Sequence, residues 1–398
     1  MTPNKEAFGA LEGLRVIEMG QLIAGPFCGQ LMADHGAEVI KVEQPGVGDP
    51  MRAWGRAESL WWPVVGRNKK SITLNLRSKE GQDIIKELVK DADFLLENFR
   101  AGTLEKWGLG WEELSAINPR LIMIRVSGFG QTGPYAPRAG YGSIGEAMGG
   151  MRNLAGDPRT PPSRIGLSIG DELAATMACL GALMALHRRH VTGKGQVVDS
   201  AIYEAVLTMM ESTVPEYTQS GMLRERTGAI LPNVAPSNVY PTTDGDVLIA
   251  ANQDTVFKRL AEAMGQPDLA ADARFATHHA RGENQEELDL LIADWSVGFT
   301  AKDLLEHLEN HAVPAGKIYK APDMMEDPHF QAREAIVHVE HPEFDNLYMQ
   351  NVFPKMSDTP GAVKWPGPEL GSHNEEVYGE LLGKSADDLA AMKETGTI

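Results

Sequence analysis

The chain is short of cysteine and of positive charge, and each shortage narrows what it can be. Two cysteines in 398 residues cannot form a disulfide framework; Cys28 and Cys179 sit in apolar helical stretches that suit reduced core thiols of a cytoplasmic protein. Lys and Arg number 37 against 55 Asp and Glu, a net charge of -18. That balance argues against a nucleic-acid partner and against a polybasic membrane patch, so an anionic ligand must be met by a local cluster of cations. The stretch Met1 to Phe8 lacks the apolar run of a signal peptide, and the uncharged run Leu173 to Leu186 is too short to span a bilayer. His187 and His190 stand three apart with no third ligand nearby, so they read as a solvated helix end, and no metal site is expected. Internal repeats and low-complexity segments are also missing.

What is present is a soluble globular composition, 42% hydrophobic and 23% charged, with length enough for two domains. Leu14 to Met19 reads as a strand, Gly20 to Pro26 as a loop, Phe27 to His35 as a helix and Glu38 to Glu43 as a second strand. This is a βαβ unit and the start of a parallel sheet. Its glycines fall at 20, 25 and 29, not in G-x-G-x-x-G, so a nicotinamide or flavin site is not expected. Glu43 then reads as a solvated strand end. Arg67-Asn68-Lys69-Lys70 leads into a strand over 71–77, a helix covers 79–90, and a strand over 93–98 ends in Asn98-Phe99-Arg100, with Lys106 beyond. Ligands of open α/β sheets gather at the carboxyl ends of strands, so these cations form either an anion site or a solvated basic rim. A strand over 121–126 runs into the constrained turn Ser127 to Tyr135, which can close over a ligand or serve as a plain loop.

Ser168-Ile169-Gly170-Asp171-Glu172 precedes fourteen uncharged residues, 173–186, and places a carboxylate where a buried helix begins. Asp171 is therefore an N-cap, a nucleophile aimed by the helix start, or both, with Gly170 leaving room for a substrate. Arg188 and Arg189 complement the helix's negative end, Thr192 to Gly195 stops it, and Gln196 to Tyr203 opens another long apolar helix. Beyond that, 239–250 reads as a hairpin with an Asp244-Gly245 turn, followed by helices near 254–264, 284–296 and 301–310, the last capped by Thr300. Strands over 335–340 and 347–352 and a helix near 373–382 complete the chain. The fold class is α/β. Residues 1–224 and 326–398 form the large domain with its parallel sheet, and 225–325 form a smaller α+β domain.

Several stretches together resemble the class III CoA-transferases, a formyl-CoA transferase-like family that also includes 2-methylacyl-CoA racemases. They are Leu11 to Glu18, Ala24-Gly25-Pro26, Gly36 to Glu43, Asn68 to Ile72, Glu97-Asn98-Phe99, Gly128 to Pro134, Gly170-Asp171 and Thr192 to Asp199. The resemblance implies a Rossmann-like large domain, an interlocked homodimer and Asp171 as the nucleophile. It implies CoA transfer from an acyl-CoA to a carboxylic acid through anhydride and aspartyl-CoA thioester intermediates. Coenzyme A is then a substrate, as its thioester, and no cofactor is bound permanently. Leu74, Asn98, Phe99 and Tyr141 match CoA-binding positions, and Arg77 and Lys106 keep a charge with Lys and Arg exchanged. Arg100 is placed by position alone, and Gln21 lies close to an expected glutamine that is Ile23 here. Gln44 stands where the family has arginine. The racemases' Gly-His-Asp reads Gly140-Tyr141-Gly142 here; a tyrosine is a poor base at neutral pH and the acid is missing, so transfer is preferred to racemisation. A non-catalytic acyl-CoA-binding protein is the third reading. A dicarboxylate such as succinate, glutarate, mesaconate or citramalate is the expected acceptor, held by Arg164 or Arg138.

Overall fold

The computed structural model describes residues 9–398; the reading of Met1 to Phe8 lies outside them. The described residues divide into two compact units. One comprises residues up to Met151, Ile165–Gly221 and Gln331–Ile398, and the other Arg152–Arg164 and Met222–Phe330. The sequence placed the smaller domain at 225–325, without the 152–164 segment.

In the first unit, six parallel strands follow the order β3-β2-β1-β4-β5-β6. They are β1 (Arg15–Glu18), β2 (Glu38–Glu43), β3 (Lys69–Thr73), β4 (Phe94–Glu97), β5 (Ile122–Ser127) and β6 (Val197–Ala201). Short apolar runs buried on both faces, such as Val39-Ile40 and Ile122 to Ile124, are what a covered parallel sheet requires. Strand order reverses between β1 and β4, so the loops leaving them diverge and open a crevice at the carboxyl edge. Helix α1 (Ala24–Asp34) follows β1 and begins three residues before the expected start, because proline is tolerated in a first turn. Helix α2 (Lys79–Val89) is capped by Ser78, whose side chain accepts from the Gly81 N–H. Beyond β5 come α3 (Gly142–Met148), α4 (Ile169–Thr192) and, after β6, α5 (Ile202–Thr208).

Three expectations change here. Val197–Ala201 is a strand paired with β5, not part of a long helix; two adjacent valines suit an extended edge better than a helix. Helix α4 extends well past the apolar run to 24 residues, long and apolar enough by composition to span a bilayer. In the fold its alanines Ala174, Ala175, Ala178, Ala182 and Ala185 are buried in one core cluster with α1 and β5, while Leu180, Leu183 and Met184 are exposed. Thus it is buried on one face only. Glu43, expected in solvent, is buried: it takes two bonds from Arg52, at 2.7 and 2.8 Å, and accepts from the Ser71 hydroxyl and the Asp49 N–H.

The second unit has a three-stranded antiparallel sheet of β7 (Ser237–Pro241), β8 (Asp246–Ala250) and β9 (Ala315–Lys317). Helices Asp254–Ala263, Gln285–Ser296 and Ala301–Asn310 accompany it, and Thr300 caps the last by accepting from the Asp303 N–H. Fully buried Arg281 bonds the carbonyls of Ala235, Asn252 and Phe275 and the Asp254 carboxylate. Back in the first unit, Ile336–His338 and Tyr348–Gln350 pair antiparallel, the Glu375–Leu381 segment is a π-helical turn, and Ala386–Glu394, not anticipated, is a capped helix.

Candidate active site

The loop after β1 is held by side chains from three other places on the carboxyl edge. Asn98, just past β4, accepts from the Gln21 N–H and donates to the Gln21 carbonyl, both at 2.8 Å. Lys41 of β2 donates to the Gly20 carbonyl and to Asp49. Asp49 in turn accepts from the Leu22 N–H at 3.0 Å. These bonds fix Leu22 at φ 63°, a left-handed conformation that costs a bulky residue roughly 1–2 kcal/mol. Gly20 and Gly25 have almost no room between them and Asn98: a methyl group on either would come within 3.2 or 3.3 Å of its side chain. Beneath the loop, buried Lys69 reaches Glu18 at 2.8 Å and the Pro26 carbonyl at 2.7 Å.

This network corrects the reading of Arg67 to Lys70. Arg67 is buried against Asp34, Lys69 against Glu18, and Lys70 bridges Glu38 and Glu376. They are neither an anion site nor a solvated rim, but internal partners of the protein's own acids. By contrast Arg77, Arg100 and Lys106 are exposed, and none forms an ion pair among the described residues. Leu74 is buried in the core, and its N–H is bonded to the Glu43 carbonyl. Phe99 packs edge-on to Trp107 at 5.3 Å, and its N–H is bonded to Glu97. Burial pushes the Glu97 carboxyl up to about 7, outweighing the Arg125 guanidinium 2.7 Å away.

Asp171 lies in the first turn of α4, not at its cap. Ser168 holds the cap position and makes no capping side-chain bond. The helix dipole still favours a carboxylate there. Because α4 leads through a tight glycine stop into β6, which is parallel to the other strands, the helix runs against them and brings Asp171 to the carboxyl edge. The Asp171 side chain is half-buried and lies against Gly142, the first residue of α3. Gly170 does not leave space for a ligand, as was expected: a side chain there would meet the Gly142 carbonyl and the Glu146 Cγ at 3.1 Å. The approach to α3 is a chain fold-back in which a methyl group on Gly128 or Gly140 would come within 2.9 or 3.1 Å of the other's Cα. Tyr141 between them and α3 is 67% exposed. Arg138 stacks on Tyr135 at 3.8 Å; Arg164 belongs to the second unit.

Sequence reasoning missed Lys41, Asp49 and Gly142. Lys41 had a signal: a lysine between Ile40 and Val42 in a strand covered on both sides must be buried and paired. Asp49 had none, since its partners are distant in sequence; Gly142 was marked only as the place where the racemases' acid is missing, and its neighbour Asp171 is likewise distant.

A sequence model described as CoA-transferase family III matches residues 11–374. A succinyl-CoA–D-citramalate CoA-transferase of Chloroflexus aurantiacus is 62% identical over 96% of this chain and 96% of its own length. A succinate–glutarate CoA-transferase of Agrobacterium fabrum is 36% identical over 95% of this chain and 97% of its own. The crystal structure of a CAIB/BAIF family protein from Brucella suis superposes with a TM-score of 0.84 at 35% identity, covering 94% of this chain and 99% of that one. With match, relatives and fold in agreement over nearly the whole length, the chain belongs to CoA-transferase family III.

Proposed function

We propose that the protein moves CoA from succinyl-CoA to a branched hydroxy-dicarboxylate of the citramalate type, with Asp171 as nucleophile. The relative that is 62% identical carries that pair of substrates in its name, and the Agrobacterium fabrum relative names two dicarboxylates, succinate and glutarate. The observation that carries the chemistry is the Asp171 carboxylate, half-buried in the first turn of a long helix at the edge where ligands of such sheets bind.

One Asp171 oxygen attacks the thioester carbonyl; the C–S bond breaks, giving a mixed anhydride and CoA thiolate. The thiolate attacks Cγ of Asp171, forming an aspartyl-CoA thioester and releasing the donor acid with one aspartate oxygen. The acceptor carboxylate attacks Cγ and expels the thiolate, which then attacks the acceptor's acyl carbon and frees Asp171. No proton is consumed, and the sum of the steps replaces one thioester by another of similar energy, with the anhydrides as short-lived intermediates of higher energy. Arg77, Arg100 and Lys106, exposed and without acidic partners among the described residues, are suited to the phosphates of CoA. Asn98, Phe99, Gln21 and Tyr141 line the approach in this reading, Leu74 staying in the core, and Arg138 receives the distal carboxylate. We also propose a cytoplasmic homodimer; the exposed Leu180, at 47%, and Met184, at 61%, on α4 supply an apolar face for a second copy.

The test is capture of the intermediate. With succinyl-CoA, hydroxylamine should mark the Asp171 peptide, read by mass spectrometry, and Asp171→Ala should abolish both the mark and transfer. Unmarked protein, or transfer unchanged in Asp171→Ala, removes Asp171 from the mechanism. Solvent deuterium entering the α-carbon of a 2-methylacyl-CoA at a catalytic rate would favour racemisation instead.

A further inference from the structure

We infer that Gly142 is a positioning and specificity-determining residue of the transfer reaction, an inference that rests on Asp171 being the nucleophile. The space its missing side chain leaves is the seat of the Asp171 carboxylate. A methyl group on Gly142 would stand 2.2 Å from Oδ2, 2.7 Å from Cγ and 3.0 Å from Oδ1 of Asp171, and these are its three nearest neighbours.

Backbone conformation does not call for glycine at this position. Gly142 opens a helix with ordinary helical geometry, where alanine is better by up to about 1 kcal/mol. The two glycines that follow have a different use: a side chain on Gly145 would strike Ile202, and one on Gly149 would strike Val206, both of α5. They let α3 pack closely on α5. Gly142 alone of the three faces the reactive carboxylate.

The fold-back at Gly128 and Gly140 fixes how far Gly142 can move, because a Cβ at Gly128 would already lie 2.9 Å from the Gly140 Cα. Gly170 closes the other side, against the Gly142 carbonyl. The wall of the seat at Gly142 is therefore backbone, which cannot swing away as a side chain would. During transfer, Cγ of Asp171 keeps one oxygen while the other position passes from oxygen to sulfur and back. A seat filled by one oxygen holds Cγ in place while its other valence is exchanged. The same contact bears on specificity. An acid at 142, as the racemase-like Gly-His-Asp motif would place there, would push the Asp171 carboxylate out of its present position.

Gly142→Ala and Gly145→Ala separate aiming from packing. In Gly142→Ala only the end of a flexible side chain has to move, so the protein should fold, bind CoA within about threefold of the wild type, and lose about 100-fold in the rate of hydroxylamine capture at Asp171. Gly145→Ala should melt earlier but keep its capture rate per folded molecule at a temperature well below the melt. In the Asp171→Ala background the seat is vacant, so Gly142→Ala should shift the melting temperature less than in the wild type. Wild-type capture in Gly142→Ala, failure of that variant to fold, or an equal loss in Gly145→Ala would overturn the inference. Absence of capture in the wild type itself would instead remove the nucleophile reading beneath it.

Discussion

Two loops meet the carboxyl edge of the same sheet and are held in opposite ways. The loop after β1 is held by charge: Lys41, Asp49, Lys69 and Glu18 are all buried beneath it, and Asn98 clamps its backbone. The approach to Asp171 is held by missing side chains, at Gly128, Gly140, Gly142 and Gly170. A buried ion network is costly to assemble, and removing one partner strands the others. A glycine fit costs little, but an added methyl group redirects whatever it touches. Damage to the first region should therefore appear as lost stability, and damage to the second as lost activity in a folded protein.

The largest effect should come from Lys41→Met, which leaves Glu18 and Asp49 facing each other with only Lys69 between them. A loss of about 3–5 kcal/mol is expected in denaturant unfolding; a change below about 1 kcal/mol would mean the network does not hold the loop. Gly29→Ala should follow, at roughly 1–3 kcal/mol, because its methyl would fall 1.8 Å from a buried Glu18 oxygen that ion pairs keep from swinging away. Asn98→Ala removes both bonds to Gln21 and should cost about 1–2 kcal/mol, together with a raised KM for the acyl-CoA donor. A stability loss with KM unchanged would confine Asn98 to structure.

The last expected effect is a pH dependence. Folding raises the Glu97 carboxyl to about 7, so between the ordinary carboxylate range and about pH 7 the folded state holds a proton that the unfolded state has lost. That contribution to stability is full at the acidic end and disappears as the pH rises through about 7. Glu97→Gln lacks it, so the melting-temperature advantage of the wild type over this variant should shrink as pH is raised across that interval. A constant difference would mean that Arg125 keeps Glu97 ionised throughout.

Much of this fold was legible from periodicity. The βαβ start, the strand before Asn98, the Asp-Gly hairpin, the Thr300 cap and the antiparallel pair near 336–350 all depend on residues close in sequence. The errors occur where the neighbour is remote. Glu43 resembled a solvated strand end because Arg52 and Ser71 meet it only in the folded chain, and Val197–Ala201 resembled a helix because its partner β5 lies some seventy residues earlier.

The sequence by itself determined that Asp171 begins a helix and that the chain is acidic and poor in cysteine, since composition and local pattern are properties of the residues and their neighbours; CoA chemistry entered only as what the family resemblance implied. Only the tertiary structure decided what each charge and each glycine is for. Lys69 could have served a phosphate or an internal acid, and burial beside Glu18 chose the acid. Gly170 could have made room for substrate or for packing, and the Gly142 carbonyl chose packing. Gly142 gave no local sign of its use, because an absent side chain acquires meaning only from what fills its place.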